Sequence, residues 1–223
     1  MLPEALTRLL AVPRNLPWQP LPHAHRQRVD VTDDFNWRPS VAKLRFLQRS
    51  GFRCAGCGLV SAPSTEVPSG YLELVAAEDC RAALCVLCSQ ALHVGRVVRD
   101  RTARDHGVIV YCPSLTQGQV CQLFRDQGVA RVLGLPGADA LADRIDRLSL
   151  EGSELARQAL GLPAREFADG MTIPLFLEVL DAMPTEVDRD GLLRDLRYLP
   201  RQHFNKQLEY WAHHSPGYAA EAA

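Results

Sequence analysis

Two short segments with two cysteines each, Cys54-Ala-Gly-Cys57 and Cys85-Val-Leu-Cys88, decide how we expect this chain to fold. Zinc favours four soft ligands in a tetrahedron, and a CxxC turn presents two thiolates to one ion. Four thiolates also leave no open position for water, so a site of this kind is structural and not catalytic. The sequence therefore predicts one structural Zn²⁺ ion, bound by Cys54, Cys57, Cys85 and Cys88.

Other interpretations of these cysteines are weaker. The four could be buried small hydrophobic residues, but two correctly spaced pairs rarely arise by accident. A redox role is disfavoured, since neither pair has the strand-then-helix setting of a thioredoxin-like motif. Cys80 and His93 lie near enough in sequence to replace one of the four cysteines as a metal ligand. We predict that neither of them binds the ion. We expect the remaining cysteines of the later chain, Cys112 and Cys121, to be core thiols.

Composition narrows the class of protein. The chain has 223 residues, of which 47% are hydrophobic and 23% charged, and its formal net charge is −1. These values are ordinary for a globular protein, and the neutral balance argues mildly against a nucleic-acid partner. No apolar run is long enough to span a membrane, and the N-terminus lacks the features of a signal peptide. The chain has seven cysteines, an odd number that does not suit a full set of disulfides. Together with the lack of a signal peptide, this number predicts that the paired cysteines bind a metal ion in the cytoplasm and do not form a disulfide framework.

Helix and strand signals divide the chain into three parts. Residues 1–39 form a predicted N-terminal arm, with a short helix over 1–12 and a proline-rich stretch pinned by Trp18 and Trp37. Residues 40–131 form a predicted zinc-binding module. It begins with a helix that Ser40 caps and Gly51 ends. We predict strands over 71–75 and 107–111 and a helix over 84–92. Residues 132–223 form a predicted helical region. The predicted fold class is α+β, a small zinc-stapled module followed by a mostly helical C-terminal half.

Helices in the second half of the chain follow from apolar spacing and from Gly and Pro breaks. We predict helices over 117–125, 137–148, 174–182, 191–196 and 201–212. The last of these carries Phe204, Leu208 and Trp211 at i, i+4 and i+7, which is typical of a helix face buried in the core. A docking face for a partner helix is the alternative.

The order of basic helix, CxxC, β segment and second CxxC resembles the zinc-stapled HNH nuclease module over roughly residues 40–96. HNH chemistry needs a general-base histidine on the β segment and ligands for a catalytic metal ion. This chain has no histidine between Cys57 and Cys88, and the segment offers only the carboxylates Glu73, Glu78 and Asp79. We therefore predict that the protein is not an enzyme. The histidines elsewhere, His93, His106 and His203, are expected at the surface or satisfied in the core.

Two basic clusters flank the cysteine pairs. One contains Lys43, Arg45, Arg49 and Arg53, and the other contains Arg96, Arg99, Arg101 and Arg104. If both share one face, they could bind nucleic acid or an acidic peptide. The simpler interpretation is a solvated face balanced by nearby acids.

Three stretches together resemble the IcmJ (DotN) family of type IVB (Dot/Icm) secretion systems. They are the knuckles FRCAGCG and CVLC, the passage VIVYCPSLTQGQV, and the closing YLPRQHFNKQLEYW. The resemblance implies an HNH-like zinc fold without nuclease function, with Cys54, Cys57, Cys85 and Cys88 as zinc ligands. It also implies a subunit of the coupling complex on the cytoplasmic face of the inner membrane, bound to the C-terminal tail of the coupling ATPase.

The leading hypothesis is therefore a non-enzymatic zinc-containing adaptor. Its expected partners are the tail of the coupling ATPase and other coupling-complex subunits, which would hold it peripheral to the inner membrane without direct insertion. The alternative is a nucleic-acid-binding or HNH-nuclease-like zinc protein of a conjugation system. Phosphate binding weakens steeply with added salt, whereas an apolar tail interface should be less sensitive.

Overall fold

The computed structural model describes residues 39–77, 80–94, 107–163, 170–184, 189–201 and 204–219. Residues 1–38 of the predicted arm, with both of its tryptophans, lie outside these ranges, as do the second basic cluster, His106 and His203. The described residues form eight helices and four strands. The helices are α1 (Val41–Arg49), α2 (Val86–Leu92), α3 (Gln117–Val132), α4 (Ala138–Ala159), α5 (Ile173–Ala182), α6 (Arg189–Leu193), α7 (Asn205–His214) and α8 (Pro216–Ala219). The strands are β1 (Leu72–Ala77), β2 (Cys80–Cys85), β3 (Gly107–Tyr111) and β4 (Leu196–Pro200).

Helix α1 begins and ends where the sequence predicts. The Ser40 hydroxyl accepts a hydrogen bond from the backbone N–H of Lys43 at 3.2 Å, which is an N-cap contact. The helix ends at Arg49, and Gly51 follows in the left-handed region with φ +62°. Leu47 is fully buried and anchors the helix to the core.

The first sheet is an antiparallel hairpin of β1 and β2, paired from Leu72 opposite Cys85 to Ala77 opposite Cys80. Helix α2 starts directly after β2. The predicted helix over 84–92 is thus wrong at its start, because Leu84 and Cys85 belong to β2. Pairing with β1 supplies their backbone hydrogen bonds, and such pairing is invisible in the local sequence.

The second sheet joins distant parts of the chain. Strand β3 pairs antiparallel with β4, from Gly107 opposite Pro200 to Tyr111 opposite Leu196. The sequence did not predict β4, and the predicted helix over 191–196 is replaced by the shorter α6. The stretch LRYLP takes the extended conformation because β3 offers an edge of unpaired backbone groups.

A glutamine side chain secures β4 from the helix side. The Gln117 Nε2 donates to the carbonyl oxygen of Tyr198, and the backbone N–H of Tyr198 donates to Gln117 Oε1, both at 2.8 Å. The amide of Gln117 therefore pairs with the strand as a neighbouring backbone would. This contact ties the start of α3 to a strand 81 residues later in sequence.

The remaining helices pack around these two sheets. Helix α4 covers β3, and α3 contacts α7, β4 and α4. A capping box formed by Thr116 and Gln119 starts α3 at the predicted position, although α3 and α4 both run further than predicted. On the α7 segment Phe204, Leu208 and Trp211 are all buried, which confirms the predicted core stripe.

The fold is α+β, as predicted, with a largely helical C-terminal half. The predicted boundary between residues 131 and 132 stays a prediction, although β3 on one side pairs with β4 on the other. Within the described ranges no helix combines the length and apolarity needed to cross a membrane.

Replacing Gln117 by Leu should lower the free energy of unfolding by about 2 kcal/mol or more, because two buried backbone groups of Tyr198 lose their partners. Chemical denaturation measures the change. The matched control is Gln158→Leu on α4, where the side chain is exposed, and it should leave stability within about 0.5 kcal/mol. Equal stability of the two variants would contradict the role given to Gln117.

Candidate metal centre

The first cysteine pair lies in a tight turn closed by backbone hydrogen bonds. The Cys54 N–H donates to the Leu59 carbonyl at 2.8 Å, and the Gly58 N–H donates to the Cys54 carbonyl at 2.9 Å. Gly58 has φ +73°, a conformation that residues with a Cβ adopt only with strain. This geometry turns the chain sharply, so that the side chains of Cys54 and Cys57 face the same interior space.

The second pair straddles the junction of strand and helix. Cys85 is the last residue of β2 and the N-cap of α2, and Cys88 lies in the first turn of that helix. The predicted helix over 84–92 would carry both cysteines. The junction of strand and helix also brings their sulfurs together. The position at a helix N-terminus favours negatively charged thiolates, because the backbone N–H groups there carry partial positive charge. The Cys85 N–H also donates to Cys54 Sγ at 3.2 Å.

All four sulfur atoms lie within 4.8 Å of one another. Cys57 Sγ and Cys85 Sγ, from different pairs, are 3.6 Å apart. A tetrahedron with metal–sulfur bonds of about 2.3 Å has edges of about 3.8 Å, so the sulfur spacing suits such a site. The four side chains are buried, with at most 7% of any of them exposed. The cluster could hold a metal ion, and its donor set is that of structural zinc sites.

The other candidate residues are placed around this cluster or away from it. Cys121 is fully buried on α3 and accepts a hydrogen bond from Gln117 Nε2 at 3.5 Å. Cys112 follows β3 and is buried in a second apolar cluster. Both are core thiols, as predicted. His93 is buried just beyond α2 and is not in the four-sulfur group. The side chain of Cys80 lies outside the described residues.

Thiol electrostatics differ across the cluster. Hydrogen bonds from the other three cysteines hold the pKa of Cys57 well below its ordinary value, and the charge of Arg125 adds to this effect while burial opposes it. Burial raises the pKa of Cys85, and hydrogen bonds with Cys121 and the other cysteines raise that of Cys88. Bound Zn²⁺ deprotonates its cysteine ligands.

Arg125 is a feature of the site that the sequence analysis missed. Its Nη1 donates to Cys57 Sγ at 3.1 Å, from a side chain that is 2% exposed. A signal was present, since Gln117, Cys121 and Arg125 follow one another at i, i+4 and i+8 on one face of α3. An arginine on the same helix face as a buried cysteine is expected to be buried too. A buried guanidinium needs a hydrogen-bond acceptor or a negative charge close to it.

Helix α3 also presses its backbone against the first knuckle. A Cβ added at Gly118 would overlap the carbonyl oxygen of Gly56 and lie 3.0 Å from its carbonyl carbon. A Cβ at Gly56 would in turn lie 2.9 Å from Cys88 Sγ. Neither position has space for a side chain. Helix α3 therefore contacts the first knuckle directly, and the first knuckle contacts the second cysteine pair.

Comparison with known proteins adds no assignment to these observations. A scan against protein-family models found no match to this chain, and a search of curated proteins found none either. The cysteine cluster therefore stands on its own geometry, and the resemblance noted from the sequence stays a prediction.

Replacing Cys85 by Ser should reduce bound metal to near zero and lower the melting temperature, because metal binding and folding are linked. Metal analysis of the purified protein and thermal denaturation measure the two effects. The control is Cys112→Ser, which alters a buried thiol outside the cluster and should keep its metal. Full metal content in Cys85→Ser would show that the ligand set is wrong.

Gly118→Ala should destabilise the protein by about 1–3 kcal/mol, since the added methyl overlaps the Gly56 carbonyl. Gly→Ala within a helix is ordinarily stabilising by up to about 1 kcal/mol, so the sign of the change is diagnostic. Gly217→Ala on α8 is the control, because open space surrounds that position. Chemical denaturation of both variants should separate them; a stabilised Gly118→Ala protein would contradict the close packing.

Proposed function

We propose that this chain is a non-enzymatic adaptor whose cysteine cluster binds one structural Zn²⁺ ion. In this proposal it serves as an IcmJ-like subunit of a type IV secretion coupling complex and captures the C-terminal tail of the coupling ATPase. The zinc ion holds the module rigid, and the surface of the module recognises the tail. A tail that orders on binding loses conformational entropy, which a large wrapped interface offsets.

The observation that carries the proposal is the closed, buried set of four sulfurs. Catalytic zinc sites keep a coordination position for water or substrate, whereas four cysteine ligands fill the tetrahedron. Cys85 is fully buried and Cys54 is 1% exposed, so a substrate has no direct path to the centre. These features support a structural role for the metal.

The described strands of the hairpin carry no histidine that could act as the general base of nuclease chemistry. The order β1, β2, α2 resembles the HNH module, but β1 carries Glu73 where a histidine would be needed. The Ser89 hydroxyl on α2 donates a hydrogen bond to the Glu73 carboxylate. Burial lowers the pKa of Lys43 on α1, and the charge of Glu73 partly restores it, so the two charges face each other. A carboxylate engaged in this way supports a structural role for the hairpin.

A groove between α3, α4, α7 and the end of β4 is the surface we assign to the tail. Its volume is about 960 Å³. Apolar side chains line it beside charges of both signs, including Arg131 and Glu209. Val132 and Leu150 on its rim are 40% and 66% exposed and offer apolar surface that a bound tail would cover. Phe204 and Trp211 are buried and so are not available as a docking face.

The test is co-expression with the C-terminal tail of the coupling ATPase from the same locus, followed by purification in high salt. We expect a stable complex in roughly equal amounts. Leu150→Asp should weaken the complex by about tenfold or more, because it places a charge in an apolar contact. Leu155→Asp is the matched control: it lies on the same helix, is 47% exposed and does not line the groove.

The outcomes separate the parts of the proposal. Complex formation that Leu150→Asp and Leu155→Asp weaken equally would place the tail elsewhere on the protein. No complex at all, with a wild-type protein that is folded and contains zinc, would refute the adaptor function and leave the structural metal centre intact.

Exposed arginines on α1 favour nucleic-acid binding as a second candidate function. Arg45 and Arg49 are both exposed and lie one helical turn apart, and Arg53 follows beside the first knuckle. Binding of this kind would weaken steeply between low and moderate salt and would fall further in Arg45→Gln/Arg49→Gln. An interface in the groove would be less sensitive to salt, and it would not change in the double variant.

A further inference from the structure

Arg125 connects the candidate metal centre to the C-terminal end of the described chain. Besides its bond to Cys57 Sγ, its Nε donates to the Tyr218 hydroxyl at 2.7 Å and to Asp126 Oδ1 at 3.1 Å. The Tyr218 hydroxyl donates to the same Asp126 oxygen. Tyr218 belongs to α8, the last described helix. Three side chains, all at most 7% exposed, thus form one network behind a single cysteine.

Charge explains why such a network would matter to a bound metal. Zn²⁺ with four thiolates carries a net charge of −2, and a buried charge needs compensation by hydrogen-bond donors or opposite charge. The Arg125 guanidinium donates to Cys57 Sγ and the Cys85 backbone N–H donates to Cys54 Sγ, and each would supply part of this compensation. Hydrogen bonds to a metal ligand orient it and tune how firmly it holds the ion.

Tyr218 fixes the guanidinium in the geometry that this contact needs. The centre of the guanidinium lies 5.8 Å from the centroid of the Tyr218 ring, and the hydroxyl accepts from Nε. Asp126 accepts from both Nε and Nη2, at 3.1 and 3.0 Å. With these two sides of the fork engaged, Nη1 is left to donate to Cys57.

We propose that Arg125 is a positioning residue that controls metal retention by the cysteine cluster, and that α8, through Tyr218, holds Arg125 in place. Release of α8 would then weaken the hold of Cys57 on the ion. The inference rests on the proposed metal binding by the four cysteines.

The experiment uses the full chain loaded with Zn²⁺. It measures the rate of zinc transfer to a chromophoric chelator, and identifies by mass spectrometry the cysteine that a slow alkylating reagent modifies first. Wild type is compared with Arg125→Met, Arg125→Lys and Tyr218→Phe. Arg157→Met is the matched control, because Arg157 is also buried, at 4% exposed, and contacts Glu154 and Pro163 instead of a cysteine.

We expect Arg125→Met to release zinc about tenfold faster or more, the range typical of lost hydrogen bonds to metal ligands. Tyr218→Phe keeps the ring and loses one hydroxyl, so it should fold and should release zinc several-fold faster. In both variants Cys57 should become the first cysteine to be alkylated. Arg125→Lys should fall between wild type and Arg125→Met, since it keeps the charge but loses the planar fork.

Three results would overturn the inference. One is a zinc-transfer rate in Tyr218→Phe equal to that of wild type. Another is equal acceleration in Arg157→Met, which would indicate general loss of stability. The third is simultaneous alkylation of all four cysteines, which would indicate unfolding and not a local effect at Cys57. A wild-type protein that binds no zinc would instead refute the metal centre itself, so the two failures are distinguishable.

Discussion

The convergence of four buried sulfurs is the constraint on which the rest of the structure depends. Residues 54–57 and 85–88 must meet within a few ångströms, and a two-stranded hairpin is the main regular structure between them. An isolated hairpin is marginally stable in water, so it depends on a link to other parts of the chain. One ion bound by both pairs would supply that link, because its binding energy is folding energy. The hairpin would then fix the register that places Cys85 at the end of β2.

Helix α3 transmits this local order to the C-terminal half. It lies against the knuckle at Gly56, donates to Cys57 through Arg125 and places Cys121 next to Cys88. The same helix clamps β4 through Gln117 and packs against α7. The four cysteines and the buried side chains Tyr198, Phe176 and Trp211 accordingly belong to one apolar cluster. A change at the candidate metal centre should therefore affect the packing of the C-terminal half as well.

The sequence predicts those features that local chemistry determines. Paired cysteines identify the cluster, Ser40 and Thr116 mark helix starts through their capping side chains, and GVIVY is a strand because β-branched residues fit a pleated, buried surface. Features that depend on distant partners were missed. LRYLP is a strand only because β3 pairs with it. Cys85 lies in β2 and not in the predicted helix, because Leu72 of β1 pairs with it. Arg125 was missed for a similar reason, since its partners Cys57 and Tyr218 lie 68 and 93 residues away in sequence.

The most direct test of the central claim is X-ray absorption spectroscopy at the zinc K-edge on the purified full chain, with total metal content measured on the same sample. The account predicts one zinc per chain, surrounded by four sulfur atoms at about 2.3 Å and by no nitrogen or oxygen ligand. A nitrogen or oxygen atom in the first coordination sphere, or a folded chain without bound metal, would contradict a closed four-cysteine centre.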